Sequence, residues 1–206
     1  MRVLLTGLAG AISLIWISVA AADSLPAFYD VSDVAANDVL NVRAAPQVGA
    51  AILSTLEHDA TGIEIVAQNA EGDWGQINLG EQAGWVALRF MTRLPGQPED
   101  QLPRPLQCAG TEPFWSLTLP REGPATLTRM DEEPLEITTL DPVTSANRTD
   151  RYAVFGQGDE RVASFIFHRD TCSDNMSDRV YGMSVDVILT EQSGVSYGTG
   201  CCNLAR

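Results

Sequence analysis

The most informative absence in this 206-residue chain is lysine, which occurs at no position. Thirteen arginines therefore face 27 acidic residues, and the formal net charge is −14. Binding to nucleic acid or to anionic lipid depends on clustered cations and is disfavoured. The Ser173-Asp174-Asn175 string matches one motif of the β-lactamase type of serine hydrolase, but those enzymes also need lysine in two further motifs. A chain without lysine cannot supply them.

Histidine and cysteine are also scarce, and their positions argue against a metal or catalytic centre. His58 and His168 lie far apart and outside any ligand spacing, and no C-x-x-C pair occurs. The acidic run Asp131–Glu133 precedes a proline, which is typical of a solvated turn rather than of paired catalytic carboxylates. We therefore expect no metal, no cofactor and no enzyme activity.

One long hydrophobic run is present, at the N-terminus. Met1-Arg2 precedes an apolar stretch that ends at Val19, and three alanines follow before Asp23. This order predicts a cleavable signal peptide over residues 1–22, with an uncleaved anchor helix as the alternative. Cleavage predicts a periplasmic or secreted protein without stable membrane insertion. It also removes one arginine, which leaves 12 basic and 27 acidic residues and a net charge of −15.

Prolines separate the remaining chain into two halves. The segment 95–106 contains four prolines and few apolar residues, which predicts an extended, semi-rigid linker. On both sides, short alternating or β-branched segments are separated by glycine-containing turns, without a helical period. We therefore predict an all-β protein with one domain over residues 23–94 and a second over residues 107–206.

Ten strands can be assigned from the pattern. They are Val39–Arg43, Ile63–Ala67 and Trp74–Leu79 in the first half, and Phe114–Leu119, Ala125–Met130, Leu135–Leu140, Tyr152–Phe155, Val162–His168, Met183–Thr190 and Val195–Gly198 in the second. Seven short strands in about 100 residues indicate a small barrel or sandwich. The expected core of the first half is Val42, Ile63, Ile65, Ile77 and Val86.

The first half carries several sequence signatures in order. They are Leu40-Asn41-Val42-Arg43 with Pro46, Gly72-Asp73-Trp74 with Gln76-Ile77, and Gly84-Trp85-Val86 with Phe90. This order resembles the bacterial SH3 domain family over nearly all of residues 36–94. The resemblance implies an SH3-like barrel that docks a cell-wall peptide or an envelope protein partner.

Four residues of the first half are candidate ligand contacts. Trp74 and Trp85 lie on adjacent expected strands, where two rings could wall a groove for a peptide. A structural role in closing the barrel is the alternative for both rings. Asn41 and Arg43 point away from the expected core. For Arg43, hydrogen bonding to nearby carbonyls is the alternative.

The second half contains three distinctive strings. They are Gly110-Thr-Glu-Pro-Phe-Trp115, Cys172-Ser-Asp-Asn-Met-Ser-Asp-Arg179 and Gly200-Cys-Cys202. Together they resemble a family of exported bacterial domains without an established activity, which is similar to the META-type barrels of envelope lipoproteins. We expect an ion pair between Glu112 and Arg179 to hold the first two strings together. Ser173 and Asp174 are expected to bind backbone amides of their own loop rather than Ca²⁺.

All four cysteines lie in the second half, and an even number in an exported chain predicts two disulfides. A bond between the neighbours Cys201 and Cys202 requires a strained ring and is disfavoured. Adjacent residues of a strand face opposite sides, so these two should have different partners, and two pairings remain open. The resemblance to the exported family favours Cys172–Cys201, which leaves Cys108–Cys202.

These features together predict a non-catalytic binding or adaptor protein of the cell envelope. The SH3-type domain would dock a cell-wall peptide or a protein partner. The alternative is an inhibitor-like periplasmic protein that binds a cationic enzyme such as a lysozyme, because a net charge of −15 attracts a basic partner.

Overall fold

The computed structural model describes residues 24–95 and 100–206, so the predicted signal peptide lies outside the described residues. Within these ranges the chain consists of β-strands and turns, and the one helical element is a 3-10 turn at Leu88–Phe90. The predicted all-β class is confirmed. In the same ranges, no helix has the length and apolar character needed to cross a membrane.

The N-terminal half, residues 24–95, contains eight strands among its described residues. They are β1 Ala27–Val31, β2 Val39–Arg43, β3 Ile52–Glu57, β4 Ile63–Ile65, β5 Ala67–Gln68, β6 Trp74–Leu79, β7 Gln82–Ala87 and β8 Met91–Arg93. A three-stranded sheet has the order β4-β1-β8, and a five-stranded sheet has the order β3-β2-β7-β6-β5. The predicted bounds of β2 and β6 are correct, whereas the expected strand over Ile63–Ala67 is divided into β4 and β5.

The two sheets enclose a single apolar cluster, because alternate residues of each strand point inward. The five core residues expected from the sequence all belong to it: Val42, Ile65, Ile77 and Val86 are buried, and Ile63 packs against them. Tyr29 and Val31 of β1 and Met91 of β8 also belong to the cluster. Strands β1, β3 and β8 were not predicted, and no bounds were predicted for β7.

The C-terminal barrel, residues 100–206, is built from nine strands in its described part. They are β9 Leu106–Gly110, β10 Trp115–Leu119, β11 Ala125–Arg129, β12 Leu135–Thr139, β13 Val143–Thr144, β14 Arg151–Gly158, β15 Arg161–His168, β16 Met183–Glu191 and β17 Gly194–Leu204. Eight of them close an antiparallel ring in the order β12-β11-β10-β9-β17-β16-β15-β14, with β12 paired to β14. The short β13 also pairs with β14. Strands β9 and β13 were not predicted.

Residues 100–106 of the proline-rich segment pack against the barrel, in contrast to the linker expected from their composition. Leu102 is buried in the core of the barrel. The Thr144 hydroxyl donates to the Asp100 carbonyl at 2.9 Å, and Arg169 donates through Nη2 to the Gln101 carbonyl at 3.1 Å. That prediction is therefore wrong for residues 100–106, because an apolar side chain and paired carbonyls fix this stretch to the barrel.

One end of the barrel packs against the N-terminal half. Phe28 packs against the barrel core, and the Leu204 N–H donates to Glu64 Oε1 at 2.8 Å. At the chain end, Arg206 donates through Nη2 to the Thr61 carbonyl at 2.6 Å. Because β17 ends here at Leu204, the opposite end, where β17 begins, points away from the N-terminal half. We call that opposite end the free end of the barrel.

Two disulfides link the strands of the barrel. Cys108–Cys202 joins β9 to β17 at directly paired positions, and both half-cystines lie in the barrel core. Cys172–Cys201 ties the loop before β16 to the outer side of β17, with a Cα–Cα distance of 5.6 Å. This is the predicted connectivity, and Cys201 and Cys202 do face opposite sides of their strand.

Candidate functional site

Three of the four predicted ligand contacts lie in one groove of the N-terminal half. Asn41, Arg43 and Trp74 line a depression of about 390 Å³, which we call the N-terminal groove. Its other walls come from the Asp33–Leu40 segment and from the turn that ends at Phe90. Residues distant in sequence meet here because β2 and β6 both pair with β7.

Trp74 lies at the bottom of this groove and is only 7% exposed. The preceding turn fixes its position, because Asn69 Oδ1 accepts the N–H groups of Asp73 and Trp74 at 3.1 and 2.9 Å. Trp74 pairs with Ala87 across the sheet, whereas Trp85 pairs with Gln76. The two rings therefore share a face of the sheet, but Trp85 does not line the groove.

The N-terminal groove carries charges of both signs. Asp33 and Asp38 are acidic, and Arg43 and Arg89 are basic. Arg43 donates through Nη1 to the Ala50 carbonyl at 2.8 Å, which is the structural contact considered for it from the sequence. The Arg89 guanidinium lies 4.5 Å from the centre of the Phe90 ring. A ligand with both an ammonium and a carboxylate group would find partners for each.

A second cavity, of about 330 Å³, opens at the free end of the barrel, and we call it the barrel-end cavity. The residues that line it are Thr111, Glu112, Pro113, Trp115, Leu127, Arg129, Val187, Leu189 and the segment 196–199. Four of these belong to the string that begins at Gly110. Eight-stranded barrels have an interior that side chains just fill or that holds one small ligand.

The indole of Trp115 lies over a track of glycines inside the barrel. A Cβ atom at Gly110 would collide with the indole, and one at Gly200 would come within 2.7 Å of its Cζ2 atom. A Cβ at Gly198 would lie 3.1 Å from the indole Nε1. The glycines of β9 and β17 therefore make room for a ring that partly closes the free end.

Arg129, which lines the barrel-end cavity, is already paired. Its Nη2 lies 2.7 Å from Glu132 Oε2 and 2.7 Å from Glu191 Oε1. Glu112 is exposed, and within the described ranges its carboxylate has no ion-pair or hydrogen-bond partner. Its backbone has a φ of 52°, which is unusual for a residue other than glycine.

The predicted ion pair between Glu112 and Arg179 is not formed. Arg179 stacks 5.2 Å from the centre of the Tyr181 ring, and its buried Nε has no hydrogen-bond partner among residues 24–95 and 100–206. The two loops are joined instead by the Thr111 hydroxyl, which donates to the Asp174 carbonyl at 3.4 Å. The prediction was wrong because the loop carries Arg179 away from the free end, towards the N-terminal half.

Two contacts hold that end of the loop against the N-terminal half. The N–H of Asp178 donates to the Glu81 carbonyl at 2.9 Å. Asn78 binds the backbone of Val180 twice, donating to its carbonyl at 2.8 Å and accepting from its N–H at 3.0 Å. The string from Cys172 to Arg179 thus spans from the barrel to the neighbouring half.

Asp174 organises the first part of the same loop. Its Oδ1 accepts the N–H groups of Met176 and Ser177 at 3.0 Å each, and its Oδ2 accepts the Tyr181 hydroxyl at 3.1 Å. Burial alone would raise the pKa of Asp174, but these hydrogen bonds outweigh it and the pKa is lowered. This is the backbone-binding role predicted for Asp174. No group of three or more potential metal ligands occurs in the described part of the chain.

Comparison with known proteins finds no family model, no curated protein and no solved structure that matches this chain. Function therefore has to be inferred from the residues and the geometry of the chain itself.

Sequence reasoning missed the barrel-end cavity. The string from Gly110 to Trp115 was recognised as distinctive, but a cavity requires Leu127, Val187 and Leu189 from strands that meet only when the ring closes. The glycines at 198 and 200 were the available signal, because missing side chains on an inward face leave space.

Proposed function

We propose that this protein is exported and acts as a non-catalytic binding protein. Its N-terminal groove docks a short peptide that carries both a positive and a negative charge. Cell-wall peptides and the termini of envelope proteins have this chemistry. The observation that carries the proposal is the convergence of Trp74 with Asp38 and Arg89 in one groove. Aromatic side chains that line a groove beside polar groups are typical anchors for peptides.

The signatures from Leu40 to Phe90 support the same proposal through their resemblance to bacterial SH3 domains. Export is supported by the two disulfides, which persist in oxidising compartments such as the periplasm.

The surroundings of His168 support a role without catalysis. Ser184 is its cross-strand neighbour, but the Ser184 hydroxyl donates to Asp170 at 2.8 Å rather than to the imidazole. His168 itself lies 3.4 Å from Asp186 through Nε2. A serine nucleophile requires a base within hydrogen-bond reach, and the Ser184 proton is directed to a carboxylate instead.

The test is binding of the mature protein to purified sacculi and to soluble muropeptides, measured by pull-down and calorimetry. Asp38→Asn and Arg89→Gln should each weaken muropeptide binding by about fivefold or more, corresponding to more than about 1 kcal/mol. Asp59→Asn is the matched control, because Asp59 is exposed in the same half and outside the groove. Trp74→Phe should also weaken binding if the variant keeps the wild-type circular dichroism.

Failure to bind sacculi and muropeptides would refute the proposal, and so would equal binding by the two groove variants and the control. Lysozyme activity measured in the same preparations addresses the alternative function. Inhibition of lysozyme without sacculus binding would favour the inhibitor that the acidic composition suggests.

A further inference from the structure

We propose that the barrel-end cavity binds a small amphipathic organic cation, an amine or guanidine with one ring or a short alkyl chain. This site is separate from the N-terminal groove, since it lies at the end of the barrel that points away from the N-terminal half. The apolar cavity, the aromatic ring at its mouth and the unpaired carboxylate at its rim together define this ligand class.

The cavity exists because one strand lacks inward side chains near the free end. Alternate residues of β17 point into the barrel, and Cys202 and Leu204 fill it near the N-terminal half. Towards the free end the same face carries Ser196, Gly198 and Gly200. The Trp115 indole occupies the space over Gly198 and Gly200, and the cavity is the space that remains between this ring, Ser196 and the facing strands.

The walls of this space are apolar. Leu127 and Leu189 are almost fully buried, and Val187 is 7% exposed. Trp115 is partly buried and packs against the same cluster from the mouth of the barrel. A volume of about 330 Å³ falls at the lower end of the range for small-molecule sites. It therefore suits one ring or a short chain.

The charges at the mouth favour a cation over an anion. Arg129, the only arginine among the described residues that line the cavity, is held by two carboxylates at 2.7 Å and is not available for an anionic ligand. The Glu112 carboxylate has no partner within the described ranges, and it lies in the same lining as the Trp115 ring. An ammonium group between a carboxylate and an indole face is stabilised by both.

The experiment compares three probes that share one alkyl chain: hexylamine, 1-hexanol and hexanoate. Binding to the mature protein is followed by calorimetry and by the indole N–H signal of Trp115 in a ¹H–¹⁵N spectrum. We expect hexylamine to bind about tenfold more tightly than hexanol, hexanoate to bind more weakly than hexanol, and the Trp115 signal to shift. Raising the salt concentration should reduce the preference for the amine.

Variants locate the site and separate its two parts. Ser196→Phe should fill the cavity and abolish binding. Val195→Phe is its control, because Val195 is the neighbouring residue, faces outward and is 68% exposed. Glu112→Gln should reduce the affinity for hexylamine to that for hexanol, whereas Glu122→Gln, in an exposed turn outside the cavity, should not.

Three results would overturn the proposal. Equal affinities for the three probes would show that the rim does not select a cation. Hexylamine binding that persists in Ser196→Phe, or that leaves the Trp115 signal unchanged, would assign the ligand to another surface. If Ser196→Phe does not fold, Ser196→Leu and the exposed Glu112→Gln variant still provide the test.

Discussion

Glu64 is the carboxyl group whose charge we expect to destabilise this fold most. It belongs to β4, and its Oε1 accepts the Leu204 N–H where the barrel meets the N-terminal half. Burial at this contact raises the pKa of Glu64 from 4.5 to about 7, against the opposing effects of the Leu204 hydrogen bond and the Arg179 charge. The folded protein therefore holds a proton that the unfolded chain releases near pH 4.5.

The direction of the pH dependence follows from this difference. The contribution of Glu64 to stability is complete below pH 4.5 and is lost as the pH rises to about 7. The two pKa values correspond to a loss of about 3 kcal/mol in the free energy of unfolding. In Glu64→Gln the amide oxygen can still accept the Leu204 N–H, but no charge is buried. The variant should therefore be about 2–3 kcal/mol more stable than the wild type at pH 8 and similar to it at pH 4.5.

Urea denaturation followed by circular dichroism at pH 4.5 and pH 8, with the disulfides intact, measures both differences. All other carboxyl groups are common to the two proteins, so comparison of the two pH profiles isolates Glu64. Glu57→Gln, an exposed position on β3, serves as the control and should leave the profile unchanged. Parallel profiles for the wild type and Glu64→Gln would refute the reasoning, because a buried ionised carboxylate would then carry no cost.

Two further predictions concern the independence of the halves and the strength of the disulfides. The fragment 23–94 should fold alone into a cooperative β structure, because it has its own apolar cluster and contains no cysteine; a random-coil far-UV spectrum would contradict this. Replacing Cys108 and Cys202 by alanine should cost about 4–5 kcal/mol, against about 3–4 kcal/mol for Cys172 and Cys201, in the chain-entropy account. The reason is that the first bond spans 94 residues and the second 29. Denaturation midpoints in the reverse order would show that contacts around the bonds, rather than loop length, determine their contribution.

The sequence alone determined the features of this protein that depend on local patterns. Val39–Arg43 and Trp74–Leu79 were located to the residue, because alternation of apolar and polar side chains is a property of the strand itself. The same alternation predicted that Cys201 and Cys202 have different partners. The resemblance to the exported family then favoured Cys172–Cys201 and Cys108–Cys202, the pairing that the structure contains. Asp174 could be predicted to bind the backbone of its own loop, since that contact spans only three residues.

Only the tertiary structure decided the features that depend on residues distant in the chain. Strands β1, β8 and β9 were not assigned from the sequence, and each pairs with a strand distant in the chain: β1 with β4 and β8, and β9 with β17. Leu102 could not be recognised as a core residue, because its proline-rich surroundings resemble a solvated linker until the barrel forms beside it.

The candidate sites also depend on residues that are distant in the chain. Glu112 and Arg179 carry opposite charges, yet the path of the loop separates them. Trp115 meets the walls of its cavity only when eight strands close into a ring. Glu64 acquires its raised pKa only when the end of β17 covers it, because the desolvation comes from the packing of the two halves against each other. Glu64 and Leu204, which meet at this contact, are 140 residues apart in the chain.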